Sequence, residues 1–533
     1  MQEFIQTVFQ LDAEQDLFRL HDFVRQYEPD WILIAMQKLF AEGRLRSAYL
    51  LAMLLDQSGY RHFYISLALG AGAILFNQPE TKARALEMLW TQTDGLSDQE
   101  RLLFELPFLG QCVTNGLLHT EAALTRMDLT EQLLELCRAV LPQFRNIFDC
   151  RSPMPVWSWE ELRQKGRAKA KLVDLRLPPS GSPRQRRKVL IFQRETQYPI
   201  YTEATGNTEA AHFNFRTHLS SIGPGMAEAM NAYGWEAESH PVFNERFANL
   251  VDCVPFILEL CRMKKPDIVI FEHDIPATCF RLEYEAMIAQ LRQEHPGIKL
   301  VANVYDNWCL PGVGKVELLS QLDVIWDPIL PSWEGWRLPE LADKVLFAPF
   351  WCLPEGYTGS TQQPLYPVPV YDGSVTLASW PRLLWQAAIH GRRVPIRRTL
   401  ASHKEQHKPD GLSAMESFRR YLQRIEESTC CFVSVMRNHQ HANTLVGRSF
   451  ETQCAGALLI LESTPEMDYH FIEGEHYLAV SSVAELAAAI GFMIAHPFEA
   501  EEIRRQGHAF AHARYGNEQL IGYLDYRLYW AAR

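Results

Sequence analysis

From Lys188 onward, short apolar runs rich in β-branched residues alternate with helical segments, and that alternation restricts the chain to an α/β fold. Lys188-Val189-Leu190-Ile191-Phe192 is the first run, and Pro266–Glu272, Ile298–Val304, Asp323–Trp326 and Lys344–Ala348 follow it. Helical segments near Pro224–Tyr233, Val254–Met263 and Tyr284–Glu294 lie between them, with another strand beginning at Gly234-Trp235. Each run has a continuous apolar centre, as strands buried on both faces require. They predict a parallel sheet covered by helices.

The pattern pauses over Pro349–Pro369, which is rich in proline, glycine and tyrosine, and then resumes. Val370–Ala378, Val394–Ile396, Cys431–Val435, Ala457–Leu461 and Tyr477–Val480 read as strands. Helices are expected near Arg382–His390, Ala414–Glu426 and Val483–Ala495. This is a second doubly wound unit. Ligands of such sheets sit beyond the carboxyl ends of the strands, so two facing units would enclose a cleft. The last segments, Glu499–Arg514 and Glu518–Trp530, read as helices that pack back across the first unit.

Residues 1–150 have a different grammar. Helical patterns recur at Ser47–Leu55, Phe63–Leu75, Thr81–Trp90, Glu100–Leu109 and Leu129–Leu141, with no clean repeat period. Stacked helical hairpins, solenoid-like and suited to acceptor or partner binding, are expected there. The stretch 151–187 is a linker ending in Pro178-Pro179-Ser180-Gly181-Ser182-Pro183 and the basic residues Arg184, Arg186 and Arg187. The predicted organisation is therefore a helical front (1–150), the linker, an acceptor-side Rossmann-like unit (188–356), a donor-side unit (357–515) and a closing helix (516–533).

Composition excludes several function classes. At 533 residues the chain is too long for one ordinary core. A net charge of −12 argues against a general nucleic-acid binder. No apolar run is long enough for a membrane span, and the start lacks a signal-peptide pattern, so a cytoplasmic protein is expected. The 11 cysteines are scattered, without zinc-site spacing, and read as reduced, buried thiols.

One segment carries chemistry. Gly447-Arg448-Ser449-Phe450-Glu451-Thr452-Gln453-Cys454-Ala455-Gly456 lies between two predicted strands of the second unit. Gly447 lets backbone approach a ligand closely, and the helix start offers amides and a positive dipole end to a diphosphate. Arg448 adds a forked donor for phosphate oxygens. Glu451, about one turn on, is placed to accept ribose hydroxyls.

The run from Glu451 to Gly456 and the apolar strand after it resemble the donor-site element of GT-B glycosyltransferases. With Arg448 ahead of Phe450-Glu451, the segment resembles that of the CgeB-type, spore-maturation-like glycosyltransferase family. Tyr371-Asp372-Gly373-Ser374 and Phe471–Tyr477 are similar to the first strand and the closing part of that family's donor domain. The resemblance spans roughly residues 187–520 and implies two Rossmann-like domains behind the helical front. It implies that Glu451 binds the ribose, that Arg448, Gly447 and Ser449 meet the diphosphate, and that Gly373 and Ser374 approach the donor phosphates or acceptor. Many retaining members carry a glutamate eight residues before the first, where this chain has Asn443, a hydrogen-bonding residue without charge.

An inverting transfer needs a general base near the acceptor. Asp306, Asp274 and His273 follow predicted strands of the first unit and are the candidates. The polar stretch Gln193–Thr208 suits acceptor recognition. No Asp-x-Asp triplet stands where it would hold a metal–diphosphate, so metal-independent transfer is expected, with no cofactor beyond the nucleotide-diphosphate sugar itself. The leading expectation is a hexosyltransferase-like enzyme acting on a protein or a surface-polymer precursor, a protein first. A sugar-nucleotide epimerase and a non-catalytic nucleotide-sugar-binding protein are the alternatives.

Overall fold

A computed structural model describes residues 2–13, 17–41, 45–75, 80–81, 84–85, 87–88, 158–199, 215–219, 222–242, 250–271, 281–304, 316–327, 331–362, 369–375, 382–391, 393–402, 413–435 and 445–531. The helical segments expected at Glu100–Leu109 and Leu129–Leu141 lie outside these residues, as does part of Thr81–Trp90.

Helices α1 (Gln2–Ala13), α2 (Leu17–Val24), α3 (Pro29–Ala41), α4 (Leu45–Gln57) and α5 (Phe63–Leu75) build the front of the chain. Their core contains Phe4, Val8, Leu20, Met36, Leu39, Leu51 and Ile65, all buried. Helix α5 is apolar around its whole circumference, as a helix enclosed by neighbours must be.

The first sheet contains β1 (Lys188–Pro199), β2 (Phe215–Leu219), β3 (Glu236–Val242), β4 (Ile268–Phe271), β5 (Lys299–Asn303), β6 (Val324–Trp326) and β7 (Val345–Leu346). Strand β1 pairs in parallel with β3 on one side and β4 on the other, and β5, β6 and β7 continue the sheet in parallel. The exception is β2, antiparallel to the far end of β1 over Glu195–Pro199. The sequence does not announce that hairpin. The polar stretch after Phe192 reads as a loop, whereas backbone pairing with β2 keeps it extended as far as Pro199.

The second sheet is wholly parallel, in the order β12 (Tyr477–Val480), β11 (Leu458–Glu462), β10 (Cys430–Val433), β8 (Val370–Val375), β9 (Arg397–Ser402). All residues of β10 and β11 are buried, so both faces are covered. Strand β9 begins just after Val394-Pro395-Ile396, the run that signals it. Pro395 has no amide to give to a ladder, and the first partner of the strand is Val370, paired to Arg397. The chain is thus α/β, with two Rossmann-like sheets behind a helical N-terminal region.

One core runs through both units, from Val189 and Ile191 under the first sheet to Leu459 and Leu461 of the second. Among the described residues, contacts from several elements tie them. Helix α7 (Ile222–Tyr233; α6 is Trp159–Lys169) brings Gly225 against the Cys352 carbonyl and the Met415 side chain. Ser332 donates its amide, at 2.9 Å, and its hydroxyl to the buried carboxylate of Glu466. The final helix, Asn517–Tyr529, lies against α7 and the β6–β7 edge, where Arg527 donates to the Val345 carbonyl at 2.6 Å. Helix α6 is stapled to the second unit: Gly166 lies against the Glu473 backbone, and Lys169 pairs with Glu473 at 2.9 Å.

Candidate functional site

Strand β10 ends at Val433, and residues 434–447 lead from its carboxyl end to the helix Arg448–Ala455. This is the edge of a parallel sheet at which ligands bind. Two buried polar contacts fix the exit of the strand. Ser434 Oγ shares a 2.7 Å hydrogen bond with Tyr371 Oη, and the Val435 amide donates to Glu462 Oε2 at 2.8 Å.

The helix is held by its flanks. Phe450 is enclosed by Trp351, His470, Phe471 and Tyr515, with ring centroids 5.0–5.8 Å away. At its far end Gly456 takes φ +84°, a left-handed stop that glycine adopts without cost. The last carbonyls are received by another helix: His508 bonds Gln453 O at 3.1 Å, His512 bonds Cys454 O at 2.9 Å, and Arg504 donates to Gly456 O at 3.0 Å. A helix anchored at its core face and its C-terminus presents a fixed N-terminus.

At that N-terminus Gly447 has φ −48° and ψ −40°, an ordinary helical conformation. What an added side chain would meet here is a matter of space, not of backbone. A Cβ there would stand 3.1 Å from Glu451 Oε1 and 3.7 Å from Trp351 Cε2. The first turn uses some of its own amides: Ser449 N–H bonds Val446 O, while those of Phe450 and Glu451 both bond Gly447 O. The Ser449 side chain is fully buried, and its hydroxyl has no partner among the described residues. Of the residues expected to meet a diphosphate, Ser449 therefore has its amide committed and its side chain turned into the packing.

Arg448 and Glu451 come together through a third residue. Helix Ala414–Glu426 begins with a capping box in which Ser413 and Glu416 exchange side-chain-to-backbone bonds. Its buried stripe is Phe418, Leu422 and Ile425, and Tyr421 lies on the flank of that stripe. Tyr421 Oη donates to Glu451 Oε2 at 2.8 Å and accepts from Arg448 Nε at 2.7 Å. The Arg448 guanidinium also lies 5.3 Å from the Tyr421 ring centroid. Burial raises the Glu451 carboxyl above its usual value, against the opposing pull of Arg448 and the Tyr421 hydroxyl.

Gly373 and Ser374 lie near the carboxyl end of β8, paired to Leu400 and Ala401, inside the strand and not beyond it. Asn443, Asp274, His273 and Asp306 lie outside the described residues, as do His439 and His441. Strands β4 and β5 end at Phe271 and Asn303, so the chain leads from those carboxyl ends toward 273–274 and 306. Burial pushes the thiols of Cys261, Cys352 and Cys454 up to about 12, which suits packing and not nucleophilic chemistry. Sequence reasoning misses Tyr421, because it is 27 and 30 residues from its partners and no local pattern links them.

Among the described residues no single helix is long and apolar enough to cross a membrane. A family model described as glycosyl transferase-like matches residues 379–524, which include Tyr421, Gly447, Arg448 and Glu451. No curated protein matches the chain. Among solved structures, the chain is similar to an alpha-glucosyltransferase in complex with UDP-glucose and DNA containing an abasic site, at 10% identity and a TM-score of 0.41, over 64% of this chain and 100% of that one. HepE of Anabaena, in complex with UDP and glucose, is similar at 9% identity and a TM-score of 0.40, over 63% and 98%. Sucrose-phosphate synthase from Thermosynechococcus elongatus is similar at 11% and 0.40, over 65% and 100%.

Proposed function

We propose that this chain is a GT-B glycosyltransferase that takes a sugar from a nucleotide-diphosphate donor. The observation that carries the proposal is the cluster at the N-terminus of Arg448–Ala455. A guanidinium and a half-buried carboxylate, joined by one hydroxyl, stand at the carboxyl edge of a parallel sheet, inside the span matching a glycosyl transferase-like model. The positive helix end and Arg448 suit the diphosphate, which becomes the leaving group, and Glu451 suits a ribose hydroxyl. Holding charge on the departing diphosphate with fixed dipoles and a guanidinium lowers the barrier without a metal.

The finer parts of the proposal are a CgeB-type enzyme, hexosyl transfer without a metal, a protein as acceptor and a cytoplasmic site of action. Gly447 and the Gly373–Ser374 backbone line the donor side, and Asn443 contacts the donor sugar. A base drawn from Asp306, Asp274 or His273 serves the acceptor hydroxyl from the first unit. The helical front and the polar stretch around 193–208 receive the acceptor.

The test is binding first and transfer second. Titration calorimetry with UDP, GDP, ADP and CDP should give one micromolar-range binder that protects the fold on heating. Incubation with the matching nucleotide sugars, with and without EDTA, should release that nucleotide equally well in both. Absence of binding to all four nucleotides sinks the proposal. A sugar altered with no acceptor present would identify an epimerase instead.

A further inference from the structure

Resting on that donor-site assignment, we infer that Tyr421 is a positioning residue that couples the phosphate-binding and ribose-binding halves of the site. The inference comes from geometry that neither half would need by itself. Arg448 and Glu451 are one helical turn apart, and their opposite charges would draw them into a direct pair. Instead the Tyr421 hydroxyl accepts a hydrogen bond from Arg448 Nε–H at 2.7 Å and donates its own to Glu451 Oε2 at 2.8 Å. The ring beneath the guanidinium adds a second restraint on its plane.

Two consequences follow for recognition. Glu451 Oε2 is engaged by the protein, so Oε1, on the Gly447 side, is the oxygen presented to a sugar hydroxyl. The Arg448 Nε–H is bonded to the Tyr421 hydroxyl, which fixes the guanidinium relative to the Glu451 carboxylate that the same hydroxyl holds. Tyr421 has a rigid support: the capped helix that carries it is buried on Phe418, Leu422 and Ile425. Among the described residues, the charged and titratable groups facing Glu451 are Arg448 from its own helix and Tyr421 from the neighbouring one, with the Cys454 thiol a turn away.

The experiment is a double-mutant cycle on nucleotide affinity. It uses the full chain and whichever of UDP, GDP, ADP and CDP binds the wild type most tightly. Tyr421→Phe keeps the ring and removes the hydroxyl. It should weaken binding about fivefold at pH 7.5, the worth of one hydrogen bond. It should also move the acid limb of the affinity-against-pH curve to higher pH, because the carboxyl loses a partner that favours its charged form. Glu451→Gln should remove that limb, and Tyr421→Phe added to Glu451→Gln should cost less than it does alone. A merely structural role would lower thermal stability and leave the pH limb and the coupling unmoved. Should Tyr421→Phe fold poorly, the coupling between Arg448→Lys and Glu451→Gln reads the same connection. Wild-type affinity with an unshifted pH limb in a folded Tyr421→Phe overturns the inference while leaving the donor site standing. Failure of the wild type to bind any of the four nucleotides overturns both.

Discussion

Replacing Gly447 with alanine separates function from stability. The backbone at this position is already helical, at φ −48° and ψ −40°, so the new side chain introduces no torsional strain. Restricting the unfolded chain contributes about 0.4–1 kcal/mol in favour of folding. Against this, the added Cβ stands 3.1 Å from Glu451 Oε1 and 3.6 Å from its carboxyl carbon. The carboxylate must retreat by a few tenths of an ångström while its other oxygen is held by Tyr421 at 2.8 Å. That crowding costs about 1 kcal/mol, comparable to overpacking by one methyl at a partly yielding site. The two terms nearly cancel, and thermal unfolding should place Gly447→Ala within about 1 kcal/mol of the wild type. Binding has no such compensation. The methyl occupies the approach to Oε1 and displaces the oxygen offered to the ribose, which forfeits most of one charge-assisted hydrogen bond. The expected loss is about 1.5–2 kcal/mol, roughly ten- to thirtyfold in dissociation constant. Calorimetric titration with the best-binding nucleoside diphosphate reads it directly. Wild-type affinity in a folded Gly447→Ala protein would refute the claim that Gly447 and Glu451 Oε1 line the donor site.

Other perturbations test the frame around the site. A Cβ at Gly166 would fall 1.9 Å from the Glu473 carbonyl oxygen, so Gly166→Ala should destabilise the protein by about 2 kcal/mol and expose the segment around α6 to limited proteolysis. Gly297→Ala, where nothing lies within 4 Å, is the neutral control. Arg504 is buried and bonded to Gly456 O at 3.0 Å and to Glu501 at 2.8 Å, so Arg504→Met should cost about 2–4 kcal/mol in chemical denaturation. Burial lowers His476 from 6.5 to about 4 in the folded chain. The unfolded chain therefore takes up this proton first. Stability should fall as pH drops from 6.5 toward 4, by about 2 kcal/mol at pH 5, and His476→Gln should lack that component. Glu451→Ala should weaken nucleotide binding at least as much as Gly447→Ala does in the same calorimetric titration.

The two sheets are legible because strands buried on both faces need a continuous apolar run, as Cys430–Val433 and residues 458–461 supply. The helix limits expected near Ala414–Glu426 were readable, and the structure shows why: the cap, Ser413 with Glu416, is local. Strand β2 was not, since antiparallel pairing to the end of β1 depends on residues brought together from a distance. The same reason separates Arg448 and Glu451, which their spacing reveals, from Tyr421, which only the packing of two helices places between them. At Gly447 the sequence suggests close backbone approach, and the structure sets the Glu451 carboxylate 3.1 Å from where a Cβ would stand.

The most direct measurement is a crystal structure of the full chain with a bound nucleoside diphosphate, chosen from UDP, GDP, ADP and CDP by affinity. The account predicts the diphosphate at the N-terminus of Arg448–Ala455, against Arg448, with a ribose hydroxyl on Glu451 Oε1 and the Tyr421 bridge intact. A nucleotide seated elsewhere, with Arg448 and Glu451 untouched, would contradict it.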